Sequence, residues 1–478
     1  MTSFSFKTPE IMTATGPRSV VSRRVKAGVA LLSLCAMAGC NKDSILQVTN
    51  PDILPPGGLF TPAGTTPLRN GAIQLFYNAY AGQTDSYAVI SGNMADEIIA
   101  TDTFDDRNLP NRRAMNDNLP GMLSPYLLLH KARTSATQAI VALKTALPNG
   151  PKYNVGELYA YRGFTEDFFG ELYCSGVPFS KDDGVTQTLG TPQTTTQIFT
   201  VASATFDSAL TLADTSTQVR YFAQVGKGRV LLNLGQYAAA ATAVAGVPTS
   251  FKKQSYYSLT TSENGIYNAT AAAASRYAIG KNEGTNGYDF LPCAAAGCPA
   301  PATSTTSTAV TVDPRLPWQT STRSGFNAAF TNLPVQLKDT RTGPVTIADG
   351  IEARLIEAEA RLQGGTQADR DAVFGLLNTL RATGIAGLAA LPGSAPTTQA
   401  AAVTQLFNER AAWLFLTGHR LGDLRRLIRQ YGRDSESVYP TGALAAPGTG
   451  TYGTDVNFSI PSQEKNNLNF TGCLDRKA

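Results

Sequence analysis

Histidine is nearly absent from this chain: among 478 residues there are two, His130 and His419. That excludes a histidine-rich metal centre, and a hydrolytic triad would have to use one of these two. His419 sits in a run of alternating helical charges. His130 follows Leu127, Leu128 and Leu129 on a predicted helix and reads as a packing or surface histidine. No Gly-x-Ser-x-Gly elbow occurs, and there are only two tryptophans, Trp318 and Trp413. Beyond the first forty residues no apolar run is long enough to cross a bilayer. Acidic pairs at Asp96-Glu97, Asp105-Asp106 and Asp182-Asp183, with Asp102, read as solvated loop charge rather than a glycosidase pair or a calcium loop. Gly448-Thr-Gly450-Thr-Tyr-Gly453 matches a dinucleotide-binding glycine pattern, but no strand precedes it and no helix follows, so it reads as a loop. No catalytic residue, metal or cofactor is expected.

An excess of one charge is missing too, once the amino terminus is set aside. The formal charge is +4, but residues 1–39 hold five of the forty Lys and Arg and one of the thirty-six Asp and Glu, leaving 35 of each. A balanced chain gives no footprint for nucleic acid. The leading segment has the layout of an export signal. Arg23, Arg24 and Lys26 precede an apolar stretch from Ala27 to Gly39, which ends in Met37-Ala38-Gly39-Cys40. Small residues before a cysteine form a lipobox, so residues 1–39 are read as a lipoprotein signal peptide. Cys40 is then the lipidated residue that anchors the chain to a membrane. Residues 40–67, rich in Pro, Gly and Thr, read as a tether.

Six cysteines suit an exported protein. Cys35 leaves with the signal and Cys40 takes lipid. Four remain, with three possible connectivities. Cys293 and Cys298 flank a short loop that can close on itself, which pairs them and leaves Cys174 with Cys473.

Residues 68–478 show helical periodicity broken by long irregular insertions. Helices are predicted over 68–81, 124–147, 154–172, 195–213, 219–234, 238–247, 351–363 and 367–381, with a last helical pair over 401–430. Gly235-Gln236-Tyr237 joins two helices in a Gly-polar-Tyr-x-x-Ala turn that resembles the tetratricopeptide unit, and Gly364-Gly365 repeats the plan. The stretches 84–120, 173–194, 249–348 and 431–478 carry weak patterns. The Ala/Pro/Ser/Thr tract 294–311 reads as mobile. The fold class is mostly α: a helix-pair scaffold with loop insertions.

The segment Asn408-Glu409-Arg410 through Trp413 to Gly418-His419-Arg420, then Asp423-Leu424-Arg425-Arg426, closely resembles a signature of the SusD/RagB family. Thr417 stands where that family often has Glu, and Gly422 where it usually has an aromatic. Leu46 to Pro51, Cys174 to Ser180 and Gly350 to Gly364 are similar to other family segments in the same order. The resemblance implies a tetratricopeptide-like scaffold with a loop-rich ligand face. It implies a surface-exposed outer-membrane lipoprotein that passes a nutrient to a TonB-dependent, SusC-like transporter. The nutrient would be an oligosaccharide, or a peptide in some members. The signature charges Glu409, Arg410, His419, Arg420, Asp423, Arg425 and Arg426 are read from the residues as helix-end and pairing charges. On that reading Gly418 ends one helix and Asp423 begins the next.

Sugar binding needs flat aromatic faces ringed by amides, carboxylates and arginine. The early insertion offers Tyr87, Asn93, Asp96 and Phe104. The later one offers Tyr288, Asp313 and Arg315, with Trp318 as the expected platform, whereas Trp413 is expected in the core. Two rivals would look different. A glycan hydrolase needs an acid/base pair on regular structure, and an envelope-assembly scaffold needs a groove without an aromatic platform.

Overall fold

A computed structural model describes residues 60–184, 186–273, 275–293, 309–310, 312–444 and 448–478. The expected signal peptide, Cys40, Cys298 and most of the tract 294–311 lie outside the described residues. All described residues belong to the unit Gly57–Ala478.

The first helix, α1 (Pro62–Ala81), begins earlier than the periodicity predicts. Thr61 accepts a hydrogen bond from the Gly64 N–H, and Pro62 fills the first helical position, where a missing N–H costs nothing. Next come α2 (Tyr87–Met94), β1 (Ile98–Ala100) and α3 (Asp105–Asn111), all inside the expected early insertion. The scaffold continues with α4 (Leu123–Ala146), α5 (Lys152–Leu172), α6 (Thr195–Thr211), α7 (Thr217–Asn233) and α8 (Tyr237–Val244). Short strands β2 (Val177–Pro178), β3 (Lys181–Asp182), β4 (Gln187–Thr188) and β5 (Pro192–Gln193) lie between α5 and α6, and β6 (Lys252–Ser255) follows α8. The later insertion carries α9 (Gly265–Thr270), β7 (Tyr277–Ile279), β8 (Ala309–Val310), β9 (Trp318–Gln319), β10 (Val335–Gln336) and β11 (Val345–Asp349). The last helices are α10 (Gly350–Leu362), α11 (Gln367–Gly384), α12 (Gln399–Trp413), α13 (His419–Arg429) and α14 (Ser435–Val438). Consecutive helices pack against one another, α4 on α5, α5 on α6, α6 on α7, α7 on α8 and α10 on α11, as the tetratricopeptide-like turns predict. Gly235 takes a positive φ of 71° in the first turn, and Ala240 is buried where α7 and α8 approach. Every described strand pairing is antiparallel: β1 with β7, β6 with β11, β9 between β8 and β10, β2 with β5, and β3 with β4.

Helix α5 is the centre of the molecule, buried from Phe164 to Leu172 without a break. Its phenylalanines explain why. Phe164 stacks on Phe222 at 4.7 Å between ring centroids, and Phe168 stacks on Tyr87 at 3.7 Å. Each such fully buried ring contributes roughly 1.5–3 kcal/mol over an exposed one. His130 belongs to the same core. Its ring lies 4.5 Å from both Tyr126 and Phe169, and burial, then the neighbouring Arg133 charge, pushes its pKa down to about 3.

The signature charges are internal, as their pairing role requires. Arg410 grips Asp423 with two hydrogen bonds of 2.8 Å, and Arg426 bridges Asp423 to Glu359 at 2.9 Å each. Burial alone would raise the Asp423 carboxyl; Arg410 and Arg426 overcome it and hold the group well below the usual carboxylate range. Arg425 donates to the carbonyls of Gly170 (2.8 Å) and Glu171 (2.7 Å), closing the end of α5. Arg229 reaches Glu171 from α7 at 2.9 Å. The expected start of the last signature helix is corrected. It begins at His419, because Gly418 takes a φ of 83° just before it and a side chain there would meet the Tyr87 ring. Asp423 lies in its second turn.

Candidate functional site

The early and late insertions meet along one seam. Strand β1 pairs with β7, Ile98 opposite Ile279 and Ala100 opposite Tyr277. Just past β1, the Thr101 N–H donates to Arg276 O at 2.8 Å, and the Phe326 N–H donates to Ser275 O at 3.2 Å. The Asn327 N–H returns to Thr101 O at 2.8 Å. Gly325 makes this approach possible, since a Cβ there would stand 2.6 Å from Thr101. Three segments distant in sequence are thus stitched together by backbone bonds that their side chains do not announce.

Asp102 organises the result. One carboxylate oxygen accepts the Thr103 and Phe104 N–H groups at 2.6 and 3.1 Å, and the other accepts Arg276 at 2.7 Å. Phe104 caps α3 with its ring turned outward. Phe104 is 50% exposed and Phe326 is 43% exposed, although both are large apolar side chains. Their rings stand 6.1 Å apart at 33°, and the Arg276 guanidinium lies 4.0 Å from the Phe326 centroid and 5.5 Å from that of Phe104. Beside them opens a recess of about 200 Å³ lined by Asp102, Asn108, Asn111, Glu283 and Asn327. Burial raises the Glu283 carboxyl against a 2.5 Å hydrogen bond from the Tyr452 hydroxyl. Two exposed aromatic faces, a fixed cation and a recess of amides and carboxylates can hold a flat, hydroxylated ligand.

Of the residues expected at the ligand face, Phe104 is the one this surface presents. Five placements are corrected by burial. Tyr87 is buried, its hydroxyl donating to Glu171 at 2.5 Å and accepting from Arg229 at 2.6 Å. Asn93 is buried and donates to Arg107 O at 3.0 Å. Asp96 is buried in a twofold contact with Arg420, 2.7 Å for each bond. Trp318 is only 8% exposed; it sits on β9 between two neighbouring strands and donates its indole N–H to Pro292 O at 3.2 Å. Arg315 is buried, held by Asp313 at 2.6 Å and Glu409 at 2.8 Å. Tyr288 is half-buried against Phe290, 4.9 Å away. Phe326, Arg276 and Asn327 were missed. Their stretch has no periodicity, and only the β1–β7 seam brings them beside Phe104. The expected bridge between Cys174 and Cys473 is present, spanning 299 residues. The described residues contain no cluster of His, Cys, Asp and Glu that could hold a metal. Among them no helix is long and apolar enough to cross a membrane.

Paired helices carrying loop insertions at one seam define a SusD-like fold, and comparison with solved structures places this chain in it. A SusD superfamily protein from Bacteroides fragilis superimposes with a TM-score of 0.60 at 15% identity, covering 86% of this chain and 99% of that one. A SusD-like carbohydrate binding protein from Bacteroides vulgatus gives 0.58 at 14%, covering 86% and 97%. A laminarin binding SusD-like protein gives 0.54 at 14%, covering 87% and 99%. No family model matches the sequence. No curated protein matches it either.

Proposed function

We propose that this protein is a lipid-anchored, surface-facing outer-membrane binder that captures an oligosaccharide and passes it to a TonB-dependent, SusC-like transporter. The observation that carries the reading is the exposed Phe104–Phe326 pair with Arg276 beneath it and a polar recess alongside. Exposed apolar rings held rigidly by backbone bonds are costly unless they meet a ligand, and pyranose faces stack on such rings. The carboxylates at the recess already hold internal partners, Asp102 with Arg276 and Glu283 with Tyr452, which suits binding rather than acid–base chemistry. Two of the structural neighbours are named for carbohydrate or laminarin binding, in keeping with this ligand class. Residues 1–39 would direct export, Cys40 would carry the lipid, and the segment after it would be the tether.

The test is calorimetric titration with laminari-, malto- and cello-oligosaccharides. Phe104→Ala and Phe326→Ala should each weaken binding by at least about tenfold, roughly 1.4 kcal/mol, with unchanged circular dichroism. Folded variants that bind as tightly as the parent would remove the site. Affinity capture from the native outer membrane, read by mass spectrometry, should recover a TonB-dependent barrel in near-equal amount. Recovery of periplasmic proteins alone would overturn the transport role.

A further inference from the structure

A larger cavity lies elsewhere in the fold, under the loop Pro314–Pro317. It holds about 390 Å³ and is bounded by that loop, by β11, by the start of α10, by Ile385 after α11 and by Trp413 at the end of α12. The Trp413 indole N–H is shielded from solvent and has no acceptor. Across the cavity lies Glu352, in the first turn of α10. Its own N–H is taken by the cap residue Asp349 at 2.8 Å. In a capping box the side chain at this position folds back onto the cap N–H. Glu352 does not. It is buried; His419 Nε2 stands 3.0 Å from one carboxylate oxygen as an ion-pair partner, and the other, Oε2, receives no hydrogen bond. A donor without an acceptor and an acceptor without a donor thus meet the same space. Left unpaired in a buried site, each is unfavourable.

The remaining walls define what would fit. Ile347, Ala348, Ile351, Ile385 and Leu414 are apolar. Arg315 is already paired with Asp313 and Glu409, which leaves Lys252 and Lys338 to balance Asp349 and Glu352, so the cavity favours neither a cation nor an anion. A hydroxyl group can both donate and accept, and a pyranose offers an apolar face between its hydroxyls. We infer that this cavity is a second binding site, taking one neutral, hydroxylated ring of monosaccharide size. The inference rests on the carbohydrate reading for its ligand class but uses none of the residues of the first site.

The chain has only two tryptophans, so it gives two indole N–H signals in NMR, assigned by Trp318→Phe and Trp413→Phe. The full chain is titrated with glucose, galactose and N-acetylglucosamine up to roughly 100 mM. The Trp413 signal should shift saturably with at least one sugar. Glu352→Gln and the cavity-blocking Ile385→Arg should each weaken that response by about tenfold or more, while Phe104→Ala leaves it intact. Ile385 lies outside the buried charge clusters, so its variant keeps the test usable should Glu352→Gln unfold. A Trp413 signal unmoved by all three sugars, or moved equally in Ile385→Arg, overturns the second site. Oligosaccharide binding that is lost with Phe104→Ala would then still stand for the first site. A chain that binds no oligosaccharide at all fails the first reading separately.

Discussion

At the scale of single residues, burial decides the roles. Tyr87 and Asp96 carry the chemistry of sugar recognition, yet each is spent inside on Glu171 and Arg420. Phe104 does present its ring, because Asp102 turns the backbone before α3. Residue chemistry was legible in the sequence; exposure was not, since a loop stretch of mixed polarity reads the same inside or out. His130 makes the same point for pH. Its pKa falls from 6.5 to about 3 through burial and Arg133, so the folded state resists a proton that the unfolded chain accepts. That contribution to stability is complete above pH 6.5 and is lost as pH falls toward 3. At pH 5 the loss from this residue should be on the order of 2 kcal/mol. Urea midpoints at neutral and acid pH should therefore converge in His130→Phe relative to the parent. Parallel pH slopes in the two proteins would contradict this assignment.

At the scale of elements, the long amphipathic helices were readable and the buried short ones were not. Helix α2 escaped because all eight of its residues are buried, which erases the apolar stripe that periodicity detects. The boundary between α12 and α13 also shifted. The chain leaves α12 at Trp413 and runs irregularly to Gly418, with Leu416 at a φ of 56°. Glu97 holds this turn by accepting the Leu416 N–H at 2.9 Å from 319 residues away, a contact with no local signal. The two helices are clamped by Arg410, Asp423, Arg426 and Glu359. Buried ion pairs add little net stability over apolar residues, but removing one partner strands the other. Asp423→Ala should therefore cost about 3–5 kcal/mol in chemical denaturation. Replacing Arg410 as well should recover part of that loss. A single variant within about 0.5 kcal/mol of the parent would mean that water reaches the cluster.

At the scale of the whole molecule, the insertions are fastened to the scaffold from several sides. Arg113 joins the early insertion to the tail through Glu436 at 2.7 Å and the Pro440 carbonyl at 2.9 Å. Arg315 joins the later insertion to α12 through Glu409. The tail returns to the end of α5, where Cys174 is bonded to Cys473 and the Cys174 N–H donates to Phe458 O at 2.9 Å. Closing a loop of 299 residues is where chain entropy rewards a crosslink most, with an upper bound of about 5 kcal/mol. A Cys174→Ala, Cys473→Ala chain should denature at clearly lower urea than the parent. Coincident curves with the parent would show that the tail hydrogen bonds hold the end of α5 unaided.

The sequence by itself determined the helical scaffold, the class of the fold, the pairing role of the signature charges and the bridge between Cys174 and Cys473. These follow from periodicity, turn chemistry and residue type, which are local or depend on very few partners. Only the tertiary structure decided which aromatics face solvent, that Trp413 borders a cavity while Trp318 is sealed within a sheet, and that Phe326 and Arg276 stand beside Phe104. Phe104 meets Phe326 and Arg276 from far away in the sequence, and even the nearer strands that seal Trp318 belong to a loop sequence that carries no periodic signal from which such a meeting can be read.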